Sequence, residues 1–217
     1  MSRMSSTACL CVCLPAVSFA AGALTFGAGV NFSSTNDKEL FQPASPPAPP
    51  GYVPDPEPRI GYNVGVGYER DALRWLAFAT ELNLETRGEK ATITHPNPAA
   101  PVIEGELRML YLEAPFFTFL KFRRGPATLG AFGGPVIGTP ISGEKAKRVD
   151  GVEQPTEKAN VRKVDFGVEA GGTAEYKIGR GAIFLRPAYY WGLVEFSRDH
   201  PAEHRVGKVR LGYKFFL

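Results

Sequence analysis

The chain alternates. Leu24, Phe26, Ala28, Val30 and Phe32 are separated by Thr25, Gly27, Gly29 and Asn31, a period of two that predicts a β-strand with one apolar and one polar face. The same alternation returns with Ile60, Tyr62, Val64, Val66 and Tyr68 against Gly61, Asn63, Gly65, Gly67 and Glu69, then with Leu76, Phe78, Leu82 and Leu84 against Glu81, Asn83, Glu85 and Arg87. A long strand is predicted from about Glu106 to Arg123, with Leu112, Ala114, Phe116, Leu120 and Phe122 on one face and Tyr111, Glu113, Pro115, Phe117, Phe119 and Lys121 on the other. Pro115 cannot donate a ladder hydrogen bond, so a bulge or local break is expected beside it. Ala127 to Thr139 is a glycine-rich strand. Val164, Phe166, Val168, Ala170 and Ala174 alternate with Lys163, Asp165, Gly167, Glu169, Gly171 and Glu175, and Ile183, Leu185, Tyr189, Trp191 and Leu193 with Arg186, Tyr190 and Gly192. From His204 to Leu217, Lys208, Arg210, Gly212 and Lys214 oppose Val209, Leu211, Tyr213 and Phe215.

Between these strands the connections alternate in length. Long ones at about 33–58, 88–101, 140–160 and 197–203 are interleaved with short ones at 70–73, 124–126 and 178–181. The first carries the proline run 46–50, stiff and poor in donors, and the third is a charged stretch expected to be solvated. Outer-membrane barrels show this asymmetry because their periplasmic turns are tight and their external loops long. With both ends of the barrel sequence on the periplasmic side, every long connection falls outside.

About eight strands, each near the roughly nine to eleven residues that a tilted strand needs to cross a bilayer, predict an all-β fold. The expected architecture is an eight-stranded antiparallel up-and-down transmembrane β-barrel over residues 21–217. The last strand pairs with Leu24–Phe32 to close the ring. A soluble barrel would turn its apolar face inward. Here the polar faces mix both signs of charge with many glycines, as a narrow lumen filled by a neutralising ion network requires. We therefore expect the apolar face in lipid and a lumen network of Glu81, Glu85, Arg87, Glu113, Lys121, Lys163, Asp165, Glu169, Arg186, Lys208, Arg210 and Lys214. Tyr62, Tyr68, Tyr176, Tyr189, Trp191 and Tyr213 are candidates for the aromatic belts at the two interfaces.

Charge and composition narrow the partners. A formal net charge of +3 over 217 residues, with basic groups spread among strands and loops, gives no stripe for a nucleic acid, so none is expected as partner. Arg3, an apolar run from Ala8 to Ala16 and the small residues of Ser18-Phe19-Ala20 read as a signal peptide over residues 1–20, cleaved after Ala20. Ala8 to Val30 is also long enough for an anchor helix, but Gly22, Gly27 and Gly29 weaken that reading. All three cysteines, Cys9, Cys11 and Cys13, lie in the leader, so the cleaved chain has no disulfide or thiolate zinc chemistry. The expected destination is the outer membrane of a Gram-negative-type bacterium.

Phe26-Gly27-Ala28-Gly29-Val30-Asn31-Phe32-Ser33, Tyr111-Leu112-Glu113-Ala114-Pro115-Phe116-Phe117, Gly134-Pro135, Asp165-Phe166-Gly167 and Leu211-Gly212-Tyr213-Lys214-Phe215 resemble the PorT-like family of outer-membrane β-barrel proteins, often called porin-family proteins. The resemblance spans the chain after the leader. It implies an eight-stranded barrel delivered through the periplasm. Arg210, Gly212, Phe215 and Leu217 further resemble the signal by which barrel-assembly machinery recognises a last strand, although Leu217 replaces the usual terminal aromatic. Implied partners are outer-membrane lipids and, during insertion, that machinery.

Reactive chemistry finds little support. His200 and His204 stand four apart, but Pro201 between them forbids the helix that would converge them on a metal. Ser197, Asp199, His200 and Glu203 are neighbours without an elbow or oxyanion signature, and solvent-exposed loop histidine is the expectation for all three histidines. Gly27-Ala28-Gly29 and Gly65-Val66-Gly67 open no helix, so they are not phosphate loops. No catalytic residue, cofactor or metal is expected. The reading is a non-enzymatic outer-membrane barrel with a side-chain-filled lumen and an envelope structural or surface-interaction role. The alternatives are a small transport or ligand-binding barrel and a membrane-embedded lipid hydrolase.

Overall fold

The structure, a computed structural model, describes residues 22–35, 53–97, 99–195 and 203–217. The leader and the run 46–50 lie outside the described residues, as do Ser197, Asp199 and His200. Eight long strands carry the fold: β1 (Ala23–Thr35), β2 (Val53–Leu73), β3 (Leu76–Thr94), β4 (Ile103–Arg124), β5 (Ala127–Val149), β8 (Asp165–Ile178), β9 (Gly181–Gly192) and β10 (His204–Phe216). Two short pieces, β6 (Val152–Glu153) and β7 (Glu157–Lys158), lie against β5.

Every long strand pairs antiparallel with its neighbours, in the order β1, β2, β3, β4, β5, β8, β9, β10. The ring closes as expected from the sequence. β1 meets β10 in unbroken register from Ala23 opposite Phe216 to Thr35 opposite His204. Closure leaves no open edge in the membrane, which a bilayer demands because it offers backbone groups no partner.

One end of the barrel is built of tight turns. Arg74-Trp75, Gly125-Pro126 and Gly179-Arg180 join consecutive strands, and Gly125 and Gly179 hold φ of 59° and 57°, a left-handed conformation that glycine adopts without a Cβ penalty.

The other end is taller than the alternation foretold. β4 is 22 residues long, about twice what a bilayer crossing needs. Three of the connections read as loops are therefore partly strand. Val53–Pro58 pairs with Glu89–Thr94, and β5 continues to Val149 beside Ile103–Leu110. Asp150 (φ 50°) and Gly151 (φ 77°) then turn the chain back, a two-residue hairpin in which both residues adopt positive φ. The extensions of β2 and β5 escaped the sequence reading because Asp55–Pro58 and Ser142–Val149 bury neither face, whereas β3 and β4 keep a buried inner face through Ala91, Ile93, Leu107 and Met109.

Pro115 behaves as expected only in part. Ladder pairing with β3 lapses between Glu113–Asn83 and Phe116–Thr80 with the register kept, and the register shift of β4 falls instead at Leu110/Tyr111, opposite Pro140.

The faces sort as the sequence reading requires. Phe26, Tyr62, Val66, Leu82, Phe116, Leu120, Leu129, Ile183, Leu185 and Leu211 are all exposed on the outside. The inward positions hold charges, asparagines, glycines and a patch of aromatics. A protein that exposes this much apolar surface around its whole girth and buries its charges is matched to lipid outside. Of the proposed belt aromatics, Tyr62, Tyr176, Tyr189, Trp191 and Tyr213 are exposed, and Tyr189 packs on Trp191 with ring centroids 4.6 Å apart.

Candidate functional site

The lumen is the chemically distinctive part of the molecule. It contains two ion clusters and an apolar wall, with each residue placed by the parity of its strand.

The cluster nearer the tight turns is a chain of shared charges. Lys214 Nζ donates to Glu69 Oε1 and Glu175 Oε1, each at 2.7 Å, and Lys121 also donates to Glu69. Arg186 bridges onward, its Nη2 reaching Glu69 Oε2 at 3.2 Å and its Nη1 reaching Glu81 Oε1 at 2.7 Å. Arg210 donates to Glu81 and, through Nη2 at 3.2 Å, to Asn83 Oδ1. Room for that guanidinium comes from Gly65, two strands away round the ring and opposite Asn83 in the ladder: a Cβ there would lie 1.8 Å from Asn83 Oδ1 and 2.9 Å from Arg210 Nη2.

The cluster nearer the loops is centred on Arg87, which is completely buried. Its Nε donates to Glu85 Oε1 at 2.9 Å, its Nη1 to Asp165 Oδ2 at 3.0 Å and its Nη2 to Glu113. The rings of Tyr190 and Tyr111 lie 4.1 and 4.9 Å from the guanidinium carbon. Lys208 Nζ ties Glu85, Glu113 and Glu169 together at 2.6, 3.2 and 2.9 Å.

Beside these clusters Phe117, Phe119 and Phe132 pack on one another with centroids 4.9 to 6.1 Å apart, backed by Ala77, Ala79 and Val136. Arg186 spans from Phe119 at 4.8 Å to Phe184 at 4.2 Å, so the apolar wall also serves as a face for the cation.

Of the twelve residues expected in the lumen network, eleven are buried in it. Lys163 is the correction. It is exposed, outside the strand that starts at Asp165, and its carbonyl accepts a hydrogen bond from Thr139 Oγ1 at 2.7 Å. The alternation in the sequence begins one step before the strand itself, which starts at Asp165. A second correction is His204, expected as an exposed loop residue. It opens β10, is buried, and sets Nε2 3.2 Å from Tyr111 Oη with the two rings edge to face. Its even number, shared with Lys208, Arg210 and Lys214, was the available signal. Glu69 and Glu175 join the network although the sequence reading did not include them. His95 keeps a loop role, its Nδ1 accepting from the Asn97 amide at 2.9 Å.

The proposed assembly-signal positions divide between the faces. Arg210 points inward to Glu81, Gly212 is half-buried on the same parity, and Phe215 and Leu217 are exposed.

Beyond the apolar band, the outward face of the taller end is ionic. Arg59 Nε and Arg108 Nη2 hold Glu106 from two sides at 3.0 and 2.6 Å. The hydrogen bond from Arg108 holds the Glu106 carboxyl down at about 2 against the opposing effect of partial burial. Arg162–Glu195 at 2.9 Å and Arg205–Glu203 at 3.0 Å are further pairs at this end. Among the described residues, no group of three or more histidines and carboxylates is placed to hold a metal ion.

A closed ring of eight antiparallel strands with lipid-matched walls and an ionic, occupied lumen defines a transmembrane β-barrel. The family model of the outer membrane protein beta-barrel domain matches residues 20–198, and the chain belongs to that family, which assigns it to the outer membrane. No curated relative matches the sequence. Among solved structures, the chain is similar to Ail, the attachment invasion locus protein of Yersinia pestis, at 12% identity over 89% of this chain and 99% of that one, with a TM-score of 0.43. It is also similar to Neisserial surface protein A at 11% identity, 89% and 96% coverage and a TM-score of 0.44. The outer membrane protein OprG from Pseudomonas aeruginosa matches at 8% identity, 91% and 96% coverage and a TM-score of 0.47.

Proposed function

We propose that this protein is a non-enzymatic barrel of the PorT-like kind, acting in envelope structure or surface contact through its taller, outward end. The observation that carries this reading is the occupied lumen. Ion pairs run from Glu175 through Lys214, Glu69, Arg186 and Glu81 to Arg210, and a second set surrounds Arg87 and Lys208. Opening a path for solute would separate buried partners, each separation leaving a charge uncompensated. The lumen carboxylates Glu81, Glu85, Glu113 and Glu169 are engaged by cations, which supports a structural use over an acid–base one.

Conductance tests the proposal. Purified, refolded protein in a planar bilayer is expected to give no steady channel steps. A stable open level would overturn the filled-lumen reading in favour of the small transport barrel.

Delivery through the periplasm by a leader cleaved after Ala20 belongs to the same proposal. The protein recovered from outer membranes is expected to begin at Ala21, within a few residues, by N-terminal sequencing. Recovery with Met1 intact would contradict it.

A further inference from the structure

The four-stranded sheet that stands beyond the apolar band has two lateral edges. The two edges differ.

The edge on β5 is covered by the chain itself. After the Asp150-Gly151 turn, Val152 and Glu153 pair with Val149 and Arg148, and Glu157 and Lys158 pair with Lys145 and Glu144. The Gln154 amide donates to the Lys147 carbonyl at 2.8 Å and the Ala159 amide to the Gly143 carbonyl at 3.0 Å.

The edge on β2 has no such cover among the described residues. β1 pairs with β2 only as far as Ser33 opposite Arg59, whereas Val53–Pro58 pairs with β3. In an antiparallel ladder, alternate residues either exchange both backbone hydrogen bonds with the partner opposite or direct their N–H and C=O away from it. Proline has no N–H to exchange. With proline at 54, 56 and 58, the exchanging pairs must be Val53–Thr94, Asp55–Thr92 and Glu57–Lys90. The backbone groups of residues 54, 56 and 58 then face the open side. Three consecutive outward positions there present carbonyl acceptors and no donor. An incoming strand could give its amides to those carbonyls, but its own carbonyls would be desolvated with nothing to accept from.

We propose that Pro54, Pro56 and Pro58 close the β2 edge to strand addition by a second copy of this chain. The same edge with ordinary residues would be a template for a further strand, extended and paired along its other side with β3. The alternation is what matters: prolines at 53, 55 and 57 would instead have broken the ladder to β3. This inference concerns the edge alone and stands whether or not the outward end makes surface contacts.

The test restores the donors. Pro54, Pro56 and Pro58 are changed together to Thr, a good strand former, in protein purified from outer membranes, with Asp55→Cys as a cross-linking reporter. Heat-shifted mobility in detergent reports that the barrel is folded. The reporter background with all three prolines intact is expected to have a monomer mass by light scattering and little cross-linking through position 55. The triple variant is expected to dimerise with rising concentration and to cross-link at least about tenfold more, the lower end of what three restored backbone hydrogen bonds predict. A folded triple variant with the mass and cross-linking of that background would overturn the proposal, as would a dimer joined through position 55 while the prolines are intact. Should the triple variant not fold, Pro56→Thr alone decides: increased cross-linking supports the inference and unchanged cross-linking rejects it.

Discussion

Arg87→Met is expected to lower the unfolding free energy of the barrel by about 3–5 kcal/mol, the range for removing one partner from a buried ion network. Methionine matches much of the arginine length and can lie between the Tyr111 and Tyr190 rings, so the change removes charge and donors more than volume. What it leaves behind sets the cost. Glu85, Glu113, Glu169 and Asp165 would face Lys208 as the one cation still bonded in the cluster, where Arg87 now satisfies three of the four. Urea unfolding in detergent micelles, followed by the heat-shifted mobility of the folded form, measures the loss. Adding Glu113→Gln to Arg87→Met should recover part of it, because one stranded charge disappears. Lys163→Met is the matched control. Its side chain is exposed, and it should stay within about 0.5 kcal/mol of wild type. If Arg87→Met behaved like Lys163→Met, the cluster would not be holding the barrel together.

That contrast also marks how far the sequence could be read. Strand identity, ring order and the inward parity of eleven network residues were legible because lipid on one side and a crowded lumen on the other force strict alternation. Where that pressure ends, the reading failed. Beyond the apolar band Asp55–Pro58 of β2 and Ser142–Val149 of β5 bury neither face, so they carry no alternation of burial and read as loop, although β3 and β4 beside them keep an inward face of Ala91, Ile93, Leu107 and Met109. Asp150-Gly151 was a usable turn signal between Val149 and Val152, and the alternate spacing of Pro54, Pro56 and Pro58 was a usable edge-strand signal. Both were submerged in composition. Partner choice inside the lumen was not legible at all: parity points Glu69 and Arg186 inward, but only the curvature of the closed ring brings residues 117 positions apart into contact.

Gly212→Ala is expected to cost about 3 kcal/mol or more and to reduce the folded fraction sharply, as overpacking against a fixed backbone does. Gly212 faces Gly27 across the β1–β10 seam that closes the ring. A Cβ there would lie 2.2 Å from the Phe26 carbonyl oxygen and 2.3 Å from Phe184 Cζ. The ring of Phe184 has a rotamer to give; the carbonyl belongs to the closing ladder and does not. Phe184→Ala in the same chain should therefore fail to restore folding. Gly212 also belongs to the last-strand pattern that resembles an assembly signal, so the same variant would be lost in cells under either account. Refolding into detergent without assembly machinery separates the two. If packing is the cause, Gly212→Ala fails there as well, whereas Leu217→Phe, which alters an exposed side chain, refolds like wild type. A Gly212→Ala barrel that refolds normally in detergent and is lost only in cells would assign the residue to recognition and leave the seam more forgiving than its geometry implies.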